Sequence, residues 1–91
     1  MTSRAVTITN SLGLHARAAA RFVHTASAYG ARIRVARGER EMDGKSIMGL
    51  LLLGAAQGTV ITITASGSDE QAAVAALCAL VERGFEEASW S

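Results

Sequence analysis

The spacing of apolar side chains in this chain switches repeatedly between two residues and three or four, which limits the fold more than any single motif does. Val6 and Ile8 alternate with Thr7 and Thr9, the pattern of a half-buried strand. Asn10, Ser11 and Gly13 interrupt it with turn formers. From Ala16 the positions Ala16, Ala19, Ala20, Val23 and Ala26 recur at helical spacing. They predict a core-facing stripe, with Arg17, Arg21 and His24 on the opposite face. Gly30 is placed to stop this helix in a left-handed conformation. Ile33 and Val35 then alternate with Arg32 and Arg34, Gly38 sits where a hairpin would turn, and residues 39–42 form the returning strand.

Asp43-Gly44 is a further turn signal, after which Ser46 reads as the N-cap of a short helix. That helix carries Ile47, Met48, Leu50, Leu51 and Leu52 and ends at Gly54. The clearest strand follows, with Ile61, Ile63 and Ala65 alternating with Thr62 and Thr64. Ser68 and Gln71 fit a capping box for a last helix. Val74, Leu77, Cys78 and Val81 form its core face, and Gly84 marks its end. Residues 85–91 show no pattern. The order is βαββαβα, and helices on one face of a small sheet make an α+β open-faced sandwich with antiparallel or mixed strands.

One domain over residues 1–91 is expected, and a chain of this size buries roughly 60–65% of its extended surface. A single Cys cannot close an intramolecular disulfide, so secretion has no support. A net charge of +1 argues against nucleic acid and anionic membranes as partners. The N-terminus alternates instead of forming an apolar signal core. The longest apolar stretch, residues 47–56, falls short of the ~20 residues that span a bilayer. A soluble, cytoplasmic domain is the expectation. Two isolated His and one Cys do not make a metal site, and Cys78 on an apolar helix face reads as core.

Chemistry concentrates at two helix starts. His15 precedes the first helix, where unpaired N–H groups favour an anion such as a phosphoryl group and disfavour an imidazolium. Arg17 adds a planar cation matched to phosphate oxygens, and Gly13 leaves room for a partner. By spacing alone, His15 could equally be a plain helix cap, and His24 beside Arg21 an ordinary surface residue. The triplet Gly44-Lys45-Ser46 resembles part of a phosphate-binding loop, but Glu39 stands where that motif needs its first Gly. What remains is Ser46 at a helix start beside Lys45, either a simple cap or a site where added phosphate suits the helix dipole. The short helix has more apolar residues than one face can bury. Some of Ile47, Met48 and Leu51 are therefore expected as an exposed patch for a transient partner, the alternative being that all three are core.

At Gly13-Leu14-His15-Ala16-Arg17, together with Lys45-Ser46-Ile47-Met48-Gly49, the chain resembles HPr, the histidine-containing phosphocarrier of the bacterial phosphoenolpyruvate-dependent sugar phosphotransferase system. The resemblance spans nearly the whole chain. It implies a four-stranded antiparallel sheet with three helices on one face. It further implies that His15 accepts a phosphoryl group on Nδ1 from phospho-enzyme I and passes it to an enzyme IIA, with Arg17 steadying the charge. Ser46 matches the family's regulatory serine, the target of a dedicated kinase in many bacteria. Docking would use Ala20, Arg21, His24, Lys45, Ile47, Met48 and Leu51. A monomer suits a carrier of this kind, which the resemblance implies has no cofactor or metal and no enzymatic turnover of its own.

One position departs from the family, whose motif continues with Pro where this chain has Ala18. The related nitrogen-type carrier NPr shares the His motif and is the alternative branch. A non-phosphorylated regulatory module on the same fold is disfavoured by the presence of His15. A small enzyme or ligand-binding domain lacks an acid–base pair.

Overall fold

The computed structural model describes residues 1–86. The elements run β1 (Thr2–Thr7), α1 (Ala16–Ser27), β2 (Arg32–Arg37), β3 (Arg40–Asp43), α2 (Ile47–Leu53), β4 (Val60–Ser66) and α3 (Glu70–Glu82). The four strands lie in the order β1-β4-β2-β3 with every neighbouring pair antiparallel. This resolves the antiparallel-or-mixed alternative. Strand pairing sets Val6 against Ile61, Ile33 against Ala65, and Val35 against both Ile63 and Met42. Because side chains alternate across a strand, this register gathers the apolar ones on a single face. That face is buried under the three helices, while Thr62, Thr64, Arg32 and Arg34 occupy the other.

The first helix buries Ala18, Ala19, Phe22 and Ala26, with Val23 partly covered, whereas Ala16 and Ala20 are exposed. The expected stripe is therefore rotated. Alanines fill so much of this segment that their spacing fits more than one face, and the large ring of Phe22 decides the matter by its greater buried area. The helix ends through Ala28, whose N–H is directed to Thr25 and Ala26 carbonyls. Gly30 does not stop it with a left-handed turn. Its N–H instead donates to Asp69 Oδ2 at 2.8 Å, and the Ala31 N–H donates to Oδ1 at 2.9 Å.

That bidentate contact corrects the expected capping box as well. Asp69, not Ser68, is the N-cap of α3, and its carboxylate is committed to the Gly30-Ala31 backbone, so it makes no cap bond. Glu70 reaches back to the Gly67 N–H at 3.2 Å in place of Gln71. The predicted face of α3 is in place, with Val74, Leu77, Cys78 and Val81 all buried. Burial pushes the Cys78 thiol up from its ordinary range, as suits a packed and inert side chain. Beyond Gly84, the unpatterned tail contributes Phe85, which is fully buried in the core. Residues 87–91 lie outside the described residues.

Candidate site at the start of the first helix

The loop before α1 is held at both ends. Asn10 is buried and donates from Nδ2 to the Gly13 carbonyl at 2.8 Å, while its own carbonyl accepts the Gly13 N–H at 3.1 Å. Leu14, also buried, donates its N–H to the Ala55 carbonyl at 2.9 Å. Gly13 has φ +66, and a Cβ there would lie 2.6 Å from that same Ala55 oxygen. Only glycine satisfies both the left-handed backbone and the close approach. The loop thereby delivers His15 to the N-cap of α1 in extended geometry, φ −80 and ψ 180.

His15 is held there by several bonds, one of them from its N–H to the Gly13 carbonyl at 2.9 Å. The His15 carbonyl accepts the Ala19 N–H at 2.8 Å, the first bond of the helix. Its Nδ1 accepts the Arg17 N–H at 3.3 Å. A ring nitrogen that accepts carries a lone pair, so the neutral imidazole places its proton on Nε2. Nδ1 then carries the accepting lone pair, and it faces the helix end where partial positive charge is greatest. No acidic residue occupies that first turn. The Arg17 side chain is exposed beside it.

Arg17, Ala20, Arg21 and His24 line one wall of a groove of about 330 Å³, which Leu80 and Glu86 close from the other side. Four predicted residues thus share one surface. Arg21 is ion-paired to Glu86 at 2.8 Å, and Arg83 reaches the same carboxylate at 3.7 Å.

Ser46 is the N-cap of α2 as expected: Oγ accepts the Gly49 N–H at 3.0 Å and its carbonyl accepts the Leu50 N–H at 3.0 Å. Lys45 sits differently from a simple surface cation, because its Nζ donates to the Tyr29 carbonyl at 2.7 Å just beyond the end of α1. Ile47, Met48 and Leu51 are exposed at 43%, 66% and 37%, against none for Leu50 and Leu53. All three belong to the patch. Sequence reasoning missed Leu52, 55% exposed, and Leu12, 65% exposed in the loop before His15. Leu52 lies four residues after Met48, but helical spacing alone does not say how far the exposed face of α2 extends. Its carbonyl accepts from Arg40 at 2.9 Å and that of Gly54 from Arg37 at 3.3 Å, so the β2–β3 hairpin holds the end of α2.

A family model described as the HPr component phosphorylation site of the phosphotransferase system matches residues 2–83. The chain belongs to the HPr family. Among HPr-family relatives, phosphocarrier protein NPr of Shewanella violacea is 46% identical over 86 residues, covering 94% of each chain. Phosphocarrier protein HPr of Xylella fastidiosa is 46% identical over 87 residues, covering 96% of this chain and 98% of its own. A solved HPr from Thermoanaerobacter tengcongensis superposes with a TM-score of 0.91 at 43% identity, covering 94% of this chain and 97% of that one. A second HPr structure from that organism is a dimer. HPr-family proteins are phosphocarriers of the phosphotransferase system and not independent catalysts, and this chain is one of them. No helix among the described residues is long and apolar enough to cross a membrane.

Proposed function

We propose that His15 takes a phosphoryl group on Nδ1 from phospho-enzyme I and gives it up to an enzyme IIA of the phosphotransferase system. The observation that carries this reading is the bond from the Arg17 N–H to Nδ1, which keeps that lone pair at the positive end of α1. In the transfer, the Nδ1 lone pair forms a bond to phosphorus as the bond to the donor's leaving group breaks, and the ring proton stays on Nε2. The phosphoryl oxygens then lie against first-turn N–H groups, with the exposed Arg17 guanidinium in reach of their charge. Donation to enzyme IIA reverses these steps.

Ala20, Arg21 and His24 on α1 and Ile47, Met48 and Leu51 on α2 form the docking surface, with Leu52 added to it. Lys45 supports that surface from beneath by holding Tyr29. A serine kinase acting on Ser46 would add about −1.5 to −2 charge next to Ile47 and Met48. That charge opposes apolar docking and repels an acidic partner without touching His15. The chain works in the cytoplasm as a monomer, which suits a carrier that presents one patch to successive partners.

The NPr-type branch is the second reading, favoured by a relative of that name as similar as the HPr relative. Incubation with labelled phosphoenolpyruvate and enzyme I should give acid-labile label on the wild type and none on a folded His15→Ala variant. An unlabelled wild type refutes the carrier. Parallel incubation with enzyme I from the sugar and the nitrogen systems assigns the branch by the faster donor.

A further inference from the structure

Residues 1–38 contain six Arg and no Asp or Glu, so the exposed face of α1 has no carboxylate of its own. Helix α2 carries none either. Among the described residues, the one carboxylate lining the groove beside Arg17 and Arg21 comes from the opposite end of the chain, at Glu86. Its placement is not a relaxed accident of chain geometry. Phe85 and Glu86 have φ of 58 and 60, a left-handed conformation that is strained for a non-glycine residue and persists only where other contacts enforce it. Phe85 supplies that enforcement by filling the core with no exposed surface. With Phe85 anchored, the chain turns back over α1 and Glu86 meets Arg21 at 2.8 Å, with Arg83 on its second oxygen at 3.7 Å.

A cationic and apolar docking surface fits an acidic partner face with an apolar centre. Such a partner needs Arg21, and in the free protein Glu86 already holds it. We propose that Glu86 is an intramolecular competitor for the docking surface, occupying Arg21 until an acidic partner face displaces it. This rests on the carrier reading, and it makes partner affinity adjustable from the C-terminal turn without any change at His15. Both side chains are about two-fifths exposed, so the competition is weak and screened by salt. Weak competition matches a carrier whose complexes must dissociate quickly.

The test is titration of wild type, Glu86→Gln and Glu86→Lys against enzyme I, at about 25 mM and about 300 mM salt. At low salt, Glu86→Gln should bind about 2–5-fold more tightly and Glu86→Lys more tightly still, with the differences largely gone at high salt. In an Arg21→Gln background the Glu86→Gln change should have no further effect, an outcome that a general stabilising role for the turn does not produce. Equal or weaker binding by Glu86→Gln at low salt overturns the competition, and does so independently if the wild type still takes label on His15. A wild type that takes no label overturns the carrier reading and this inference together.

Discussion

Replacing Gly13 by Ala measures how tightly the loop before His15 is built. Two costs are superimposed there. Holding a Cβ at φ +66 costs roughly 1–2 kcal/mol, since the left-handed region crowds any L side chain. The added atom would also lie 2.6 Å from the Ala55 oxygen and 2.9 Å from Ala56 Cα, both backbone atoms that cannot swing aside. Overpacking of this kind costs about 1–3 kcal/mol. The displaced oxygen is the acceptor of the buried Leu14 N–H, so relief of the clash weakens a hydrogen bond as well. Gly38 supplies the control: it has φ +59 with nothing within 4 Å of an added Cβ, so Gly38→Ala carries the backbone cost alone.

After the small gain from a stiffer unfolded chain, Gly38→Ala should lose about 1 kcal/mol and Gly13→Ala about 2–4 kcal/mol. Thermal melting separates these losses, because in a domain of this size each kcal/mol moves Tm by about 4–8 °C. Phosphoryl acceptance by Gly13→Ala from enzyme I should fall by roughly 10–100-fold through misplacement of the imidazole, and that of Gly38→Ala should not. If the two variants melt together, the close approach to Ala55 contributes nothing and the account of the loop is wrong.

Ser46→Ala removes the bond from Gly49 and should cost about 1 kcal/mol in urea unfolding, whereas Ser46→Asp keeps a capping oxygen and most of the stability. Ser46→Asp should nonetheless accept phosphate from enzyme I more slowly, and a rate equal to wild type refutes regulation through this residue. Glu70 has its carboxyl lowered from 4.5 to about 2, first by the N-terminal ammonium at 2.8 Å, then by the Thr2 hydroxyl and the Gly67 N–H. A lowered carboxyl stabilises the fold above its unfolded value and loses that contribution as pH falls from about 4.5 towards 2. Melting across this range should therefore fall more steeply for wild type than for Glu70→Gln, and parallel curves would refute the linkage. Ala18 is fully buried in the first turn of α1. Ala18→Pro should retain His15 labelling while raising Tm slightly through fixed φ, and a marked loss of label would show that this site uses the Ala18 N–H.

The number, type and order of the elements were legible in the sequence because they follow from contacts within about four residues. Alternation at Ile61–Ala65 and the Ser46 cap are both of this local kind. So were the positions of His15 and Ser46 at two helix starts, where each is an N-cap. Four features were decided only by the tertiary structure. The alanines of α1 fit several faces until Phe22 is packed against the sheet. Asp69 leaves its own helix because two N–H groups 38 and 39 residues away in sequence need an acceptor more. Phe85 carries no periodicity, yet it fills the core and turns Glu86 towards Arg21. The exposure of Leu52 beside buried Leu50 and Leu53 depends on where α2 meets its neighbours. Local spacing fixes what an element is, but which of its sides is buried, and which charge meets which, depends on surfaces brought together from distant parts of the chain.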